Sequence, residues 1–468
     1  MPDTDPVPAL NYYRSHSQHF LDTLKDLTRI PSVSFPGFPP EELEKSAGFI
    51  RGEMIRTGLE RVEIIRIADG FPYVYGEWTG RPGGPTVLLY AHHDVQPPLR
   101  EELWSTPPFE PTEKDGRIYA RGIADDKAGV MLHLASISSY LSATGTLPVN
   151  IKMLIEGEEE VGSAHLEELL TRYAQKLKSD CLVLADSANY DTGVPTLTTS
   201  LRGIVTLDVT VSGMRDPLHS GMWGGPIPDP ILGLAKMLSG LVDENGSIAV
   251  PGLLDDALPP SQEELEDIKK LGMNNSTFVK QAGLHRGVDV FGTDEEILGK
   301  LWKEPSLCIN TIESGDKKNA GNVLMDKAWA RIGLRLVPDM DPDKSLKILQ
   351  DFLVKSCPWG LKVSFNGNSG VRAWKTPTGH RIFQVARKSL ETAYGREPVY
   401  VGSGGSIPFT EPLSRVFGDV PALLVGIEDP YTKAHSENES LSISDFHKAV
   451  EGQIHFFAQL AAEAWPDR

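Results

Sequence analysis

The feature that most constrains this chain is a short apolar run that ends in acid. Ile151, Met153, Leu154 and Ile155 lead directly into Glu156-Gly157-Glu158-Glu159-Glu160. A run this short and apolar, bounded by glycine and charge, reads as a buried strand. Crowded carboxylates repel one another unless solvent or a cation neutralises them. Two readings are open at this point: a solvated acidic loop, or a strand that delivers carboxylates to a metal.

The same arrangement recurs along the chain. Residues 86–90 are apolar and run into Ala91-His92-His93-Asp94. Residues 182–185 stop at Asp186, and 421–427 stop at a loop that brings in His435. Residues 122–127 form a polar loop with Asp125, and 128–141 follow as a helix with Val130, Met131, Leu134 and Ile137 inward. An earlier helix carries Phe20, Leu21, Leu24, Leu27 and Ile30 and is ended by Pro31. A last helix, 446–465, carries Phe446, Val450, Ile454, Phe457 and Leu460 on one face. Short strands alternating with helices predict an α/β domain with a largely parallel sheet. Ligands of such sheets sit beyond the carboxyl ends of the strands. His92, Asp94, Glu159, Glu160, Asp186 and His435 are all predicted to fall there.

Residues 203–376 follow another pattern. Val205, Leu207, Val209 and Val211 alternate with polar residues, as in a half-buried strand. A helix over 230–242, strands over 307–312 and 330–337, a helix over 343–355 and a strand over 361–365 complete the order β-α-β-β-α-β. That is the order of a ferredoxin-like unit. Residues 250–302 are an acidic, partly helical excursion within it. The predicted organisation is one α/β domain, 1–202 with 377–468, interrupted by an α+β domain at 203–376.

Charge and cysteines narrow the possible partners. A net charge of −18 argues against nucleic acid and anionic membrane surfaces. The three cysteines, Cys181, Cys308 and Cys357, are far apart and suggest neither a disulfide framework nor a thiolate zinc site. The N-terminus has no basic or apolar signal region, and no apolar run reaches membrane-spanning length, so a cytoplasmic location is expected.

His92, Asp125, Glu160, Asp186 and His435 are imidazoles and carboxylates predicted to converge from separate strands, as metal ligation requires. Two divalent cations would be balanced by three carboxylates and a hydroxide, which suits a dry site.

The motifs carry a resemblance. They are H-H-D-V-Q-P from His92, R-G-I-A-D-D-K from Arg121, E-G-E-E-E-V-G-S from Glu156 and P-L-H-S-G-M-W-G-G from Pro217. Further on come D-E-E-I-L-G-K-L-W-K-E-P-S-L from Asp294, R-L-V-P-D-M from Arg335, G-G-S-I-P from Gly404 and A-H-S-E-N-E from Ala434. In this order, over nearly the whole length, the chain resembles metallopeptidase family M20 and, within it, the carnosinase-like dipeptidases.

The resemblance implies a zinc-peptidase-like catalytic domain with a ferredoxin-like lid and dimerisation domain. It implies two divalent metal ions per subunit, zinc first and manganese or cobalt as alternatives. His92 and Asp186 would bind one, Glu160 and His435 the other, and Asp125 both. Asp94 would orient and polarise His92. Glu159 would be the general base for a metal-bridging hydroxide that cleaves dipeptides or short peptides with a free C-terminal carboxylate. The peptide bond between Asp125 and Asp126 would be cis. His219 would act in the partner's site of a homodimer, stabilising the oxyanion. Arg335, which alternates with apolar Ile332, Leu334 and Leu336 and so faces away from the covered side of its strand, would hold the substrate carboxylate. Ser406 and Asn322 would also contact substrate.

Some positions depart from the pattern. His93 stands where these enzymes tend to have Tyr, Gly402-Ser403 where they have Arg-Glu, and Asn322-Val323-Leu324-Met325 replaces a T-V-I-P-like turn. These changes concern specificity rather than metals. Two alternatives are an M20 N-acyl amino acid deacylase or desuccinylase and a non-catalytic M20-like binding protein. The first tends to carry G-G-T-S-D and R-G-H, which this chain lacks; the second would have lost Glu159, Asp94 or a ligand.

Overall fold

The structure, a computed structural model, describes residues 4–376, 378–405, 409–418 and 420–463. The chain divides into two compact units. The first contains the residues up to Thr199, those of Thr376–Val401 and those from 409 onward; the second contains Ser200–Lys375 with the short return 402–405.

The first unit is built on a mixed sheet. Its strands run in the order Glu60–Ile65, Tyr73–Trp78, Asn150–Glu156, Thr86–His92, Cys181–Ala188, Ala422–Glu428 and Thr196–Leu201. The four strands from Asn150–Glu156 to Ala422–Glu428 pair in parallel, and the pairs outside them are antiparallel. The parallel centre is thus the part that bears the predicted site residues. Thr86–His92 is buried at every position, as expected of a strand covered on both faces.

Helices Val7–Thr28, Glu41–Thr57, Lys127–Thr144, Arg381–Tyr394 and Ile443–Ala462 share one apolar core with these strands. Leu24, Met54, Leu134, Phe383 and Phe457 meet Leu89, Ile151, Val183 and Leu423 there. Removing a side chain such as Leu89 from this core would cost about 2–5 kcal/mol. The Lys127–Thr144 helix is buried nearly all round, which explains its lack of a polar face. Asp126 caps its start by accepting from Gly129 N, and Gly145 ends it at φ 71°. The closing helix starts three residues before the predicted one, and residues 464–465 of the predicted span lie outside the described residues.

The second unit has the split order expected of β-α-β-β-α-β. Its four strands, all antiparallel, lie in the order Ser306–Glu313, Lys327–Leu336, Gly203–Ser212, Lys362–Val371. Helices Pro230–Ser239 and Pro342–Ser356 each begin on an aspartate cap, Asp229 and Asp341, followed by proline at the first helical position. Their Leu234, Met237, Leu349 and Leu353 form one core with Val205, Leu207, Val209 and Val211. Arg331, Gly333 and Arg335 alternate with buried Ala330, Ile332, Leu334 and Leu336, so both arginines lie on the sheet face opposite that core. The excursion contains helices Gln262–Lys270, Asn275–Ala282 and Ile297–Trp302, the first closed by a Ser261–Glu264 capping box. Among the described residues, no helix is long and apolar enough to cross a membrane.

Candidate metal centre

His92 is the last residue of its strand, and two contacts fix its ring. Its main-chain N donates to Asp126 Oδ2 at 3.1 Å, and its Nδ1 lies 3.0 Å from the main-chain oxygen of Asp94. The other ring nitrogen, Nε2, is then aimed at carboxylates: 3.1 Å from Asp125 Oδ1 and 3.9 Å from Asp186 Oδ1. Nε2 is buried, and despite this proximity it has no hydrogen-bond partner of acceptable geometry.

Asp186 lies inside its strand, Cys181–Ala188, rather than beyond its end. Leu184 pairs with Leu424 and Ser187 with Gly426, so the strand gains one residue on its neighbour at Ala185-Asp186. Such a bulge re-aims a side chain, and it is how a residue within the ladder joins groups that lie past the strand ends.

The second cluster is complementary. His435 Nε2 is 3.0 Å from Asp125 Oδ2 and 3.3 Å from Glu160 Oε2. Asp125 therefore offers one oxygen to each imidazole. Within His92-Asp125-Asp186, and within Asp125-Glu160-His435, the candidate ligand atoms all lie within 4.8 Å of one another. Ligand atoms about 2 Å from a common ion stand roughly 3–4 Å apart, and these spacings fit that geometry. His435 has φ 60°, in the left-handed region that costs a non-glycine residue energy and that clusters at functional sites.

The loops that bear Asp125 and His435 are tied together. Glu439, four residues after His435, accepts from the main-chain N of Gly122 and Ala124 at 3.0 Å and of Asp125 at 3.2 Å. Its charge is met by buried Arg121, which donates to Glu439 at 2.7 Å and to Ser436 O at 3.0 Å. The peptide bond between Asp125 and Asp126 is cis.

The four glutamates divide into two pairs. Glu156 and Glu158 turn inward: Glu156 accepts from Tyr90 Oη at 2.7 Å, and Glu158 from Tyr73 Oη at 2.6 Å and His165 N at 2.8 Å. Glu159 and Glu160 sit on a 3-10 turn, and their main-chain N–H groups donate to Asp94 Oδ1 at 3.1 Å and Oδ2 at 3.0 Å. Ser34 Oγ donates to the same carboxylate at 2.8 Å. The carboxylate of Asp94 thus serves the glutamate turn, while its main-chain oxygen serves His92. The nearest carboxylate oxygen of Asp94 is 3.5 Å from His92 Nδ1. Glu160 is held in turn by Gln96, whose N donates to Oε1 at 3.1 Å and Nε2 to Oε2 at 2.7 Å.

Crowding sets the electrostatics. Burial raises Glu159, Glu160 and Asp186 above the usual carboxylate range, and the charge of Asp125 adds to this in each. The side-chain contact with Asp125 lifts His435 to about 9. A cation would reverse the pressure on the carboxylates, because its charge favours their ionised forms.

The other predicted residues belong to the second unit, except Ser406, which lies outside the described residues. Exposed His219 pairs with Val323 in a two-strand ladder, and the main-chain N of the following Ser220 donates to Asn322 O at 3.0 Å, so His219 and Asn322 are neighbours. Arg335 is half-buried on the open sheet face.

The sequence profile of Peptidase family M20/M25/M40 matches residues 88–459. The chain is 30% identical over 461 residues to the Cys-Gly metallodipeptidase dug1 of Schizosaccharomyces pombe, covering 95% of this chain and 96% of that one. It is 29% identical over 480 residues to the human Beta-Ala-His dipeptidase, covering 97% and 94%. The crystal structure of human carnosine dipeptidase 1 superposes with a TM-score of 0.86 at 28% identity, covering 98% of this chain and 99% of that one.

Proposed function

The chain belongs to peptidase family M20/M25/M40, and from that premise we propose that it is a two-metal dipeptidase acting on dipeptides or short peptides with a free C-terminal carboxylate. The observation that carries the proposal is the pair of three-residue clusters that share Asp125. Imidazole-plus-carboxylate donors suit zinc, manganese or cobalt. The buried, unpartnered Nε2 of His92 fits the role of a ligand atom. Relatives with Cys-Gly and β-Ala-His in their names support a dipeptide substrate.

In this reading His92 and Asp186 hold one metal, Glu160 and His435 the other, and Asp125 both. Bound metals would activate a water and polarise the scissile carbonyl. Glu159 takes the proton from that water and delivers it to the leaving amine. Its raised affinity for a proton, set by burial and the neighbouring charges, suits a group that must accept and release one. Asp94 positions Glu159 and Glu160 by accepting their main-chain N–H groups. Arg335 anchors the substrate carboxylate from the interrupting domain, 203–376, which serves as lid and dimerisation domain. His219 stabilises the oxyanion in the site of the partner subunit of a two-fold homodimer.

The test is a dipeptide panel run beside N-acetyl amino acids. Cleavage of the dipeptides is expected; turnover of the N-acetyl amino acids alone would sink the proposal and favour a deacylase. The shared site has its own test, because His219→Ala and Glu159→Ala are each expected to be nearly inactive. Refolded together they should regain activity through one intact site per mixed dimer. Mixed dimers that stay inactive would confine His219 to its own chain.

A further inference from the structure

Resting on the proposed grip of Arg335 on the substrate carboxylate, we infer that Arg202 is a second, specificity-determining charge of that subsite. Together the two guanidiniums would make it a site for a free carboxylate rather than an amide.

Arg202 links the strands Thr196–Leu201 and Gly203–Ser212 and is 7% exposed. A buried arginine is ordinarily paired with an acid. Arg202 instead spends its donors on neutral acceptors. Nε donates to Gly404 O at 3.2 Å, and Nη1 to Ser306 Oγ at 2.9 Å and Glu304 O at 3.3 Å. Ser306 is the residue directly opposite Arg335 in the antiparallel ladder, so its side chain stands on the same face. Arg202 therefore bonds the immediate cross-strand neighbour of Arg335.

The charge of Arg335 acts on Arg202. Burial, and then the charge of Arg335, push Arg202 down to about 10, and burial also lowers Arg335. Among the described residues, no carboxylate is among the groups acting on either. Arg331, four residues before Arg335 on the same face, shows the ordinary solution. Its Nε and Nη2 meet Asp208 Oδ1 and Oδ2 at 2.7 and 2.8 Å. The second unit thus neutralises one arginine of this face and leaves the next one, with its buried companion, short of an anion.

The division of labour follows from the contacts. Among the described residues Arg335 makes no hydrogen bond or ion pair, so its fork is available to a ligand. Arg202 is fixed by acceptors on two chain segments, 304–306 and 404. It is a charging group: its acceptors hold it rigid, and it adds a positive charge from that fixed site. The ligand chemistry this selects is a carboxylate.

Two measurements on the full-length metal-loaded protein test this. For alanyl-leucine, Arg202→Gln should lower kcat/KM about tenfold, mainly through KM. Arg202→Lys should restore most of the loss, and neither change should matter for alanyl-leucinamide. An arginine that only braced the 402–405 return would harm both substrates alike, and one ammonium could not replace its three contacts. Equal losses on acid and amide, or no loss on either, overturn the inference.

The second measurement uses exposed Cys308, which lies two residues along the strand from Ser306 and so on the same sheet face as Arg335. Iodoacetate should outpace iodoacetamide at Cys308 by several-fold more than at Cys357, and added salt should erase the excess. The same ratio at both cysteines overturns the charge pair. If the wild-type protein cleaves no dipeptide at all, the dipeptidase reading fails, and the alkylation ratio still decides on the two arginines.

Discussion

In the first unit, Asp125, Glu160 and Asp186 crowd around two imidazoles, with Glu159 beside them and, among the described residues, no arginine or lysine as a hydrogen-bond partner. In the second, Arg202 bonds Ser306, the residue opposite Arg335, and among the described residues no carboxylate acts on either arginine. Two ion pairs elsewhere in the first unit meet a buried charge with its opposite. Arg121 meets Glu439 at 2.7 Å, and Arg117 meets Asp429 at 2.7 Å. The contrast separates two uses of a buried charge. A charge balanced by its own chain holds loops together; a cluster of one sign left unbalanced is a candidate binding site, whereas a lone charge such as Lys127, which donates to Leu27 O and Ile30 O, serves the fold. On the proposed reading the sign of the imbalance gives the chemistry, cations for the first unit and a carboxylate for the second.

The sharpest way to break this comparison is Glu159→Gln. It removes one negative charge that is not assigned to metal binding. We expect kcat to fall by roughly 10²–10⁴, the usual worth of a general base, while both metals stay bound. Loss of a metal would move Glu159 into the ligand set and exchange its role with that of Glu160. A smaller effect is expected on the positive side. Arg335→Ala should reduce kcat/KM for a dipeptide by about 10–100-fold, the scale of a charge-assisted contact worth roughly 1.5–3 kcal/mol. The corresponding C-terminal amide should lose little. If acid and amide suffer equally, the second unit's imbalance has nothing to do with substrate.

Much of this contrast was legible in the sequence, and the rest was hidden for identifiable reasons. Apolar runs ending in His92, Glu156 and Asp186 expose the parallel centre of the sheet, because a fully covered strand has to be apolar on both faces. The alternation at 205–211 and the order of elements after it are local signals too, and the split sheet follows from them. Helix Glu41–Thr57 and strands Glu60–Ile65 and Tyr73–Trp78 were not singled out, although each carries buried residues. The first two are mostly polar, and none ends in a group with evident chemistry.

The support of the site was the least legible part. Glu439 meets residues more than 300 positions away, and Arg202 meets residues about 100 and 200 positions away. Asp94 was expected to orient His92, and its main-chain oxygen does lie 3.0 Å from His92 Nδ1; that its carboxylate also accepts from two backbone N–H groups of the glutamate turn was not foreseen. Gln96, Arg121 and Glu439 all lie within the motifs that carry the family resemblance, a few residues from a candidate ligand. That proximity was the available signal. What it could not supply is the direction in which each side chain points.

The central claim is a two-metal site joined by Asp125, and metal content measured by mass spectrometry tests it most directly. Wild-type protein should bind two divalent ions per chain, lose activity as they are chelated and regain it when zinc, manganese or cobalt is returned. Asp125→Ala, which removes the one residue common to both clusters, should weaken both ions together. Full activity in metal-free protein, or an Asp125→Ala variant that keeps two ions at wild-type affinity, would contradict the account.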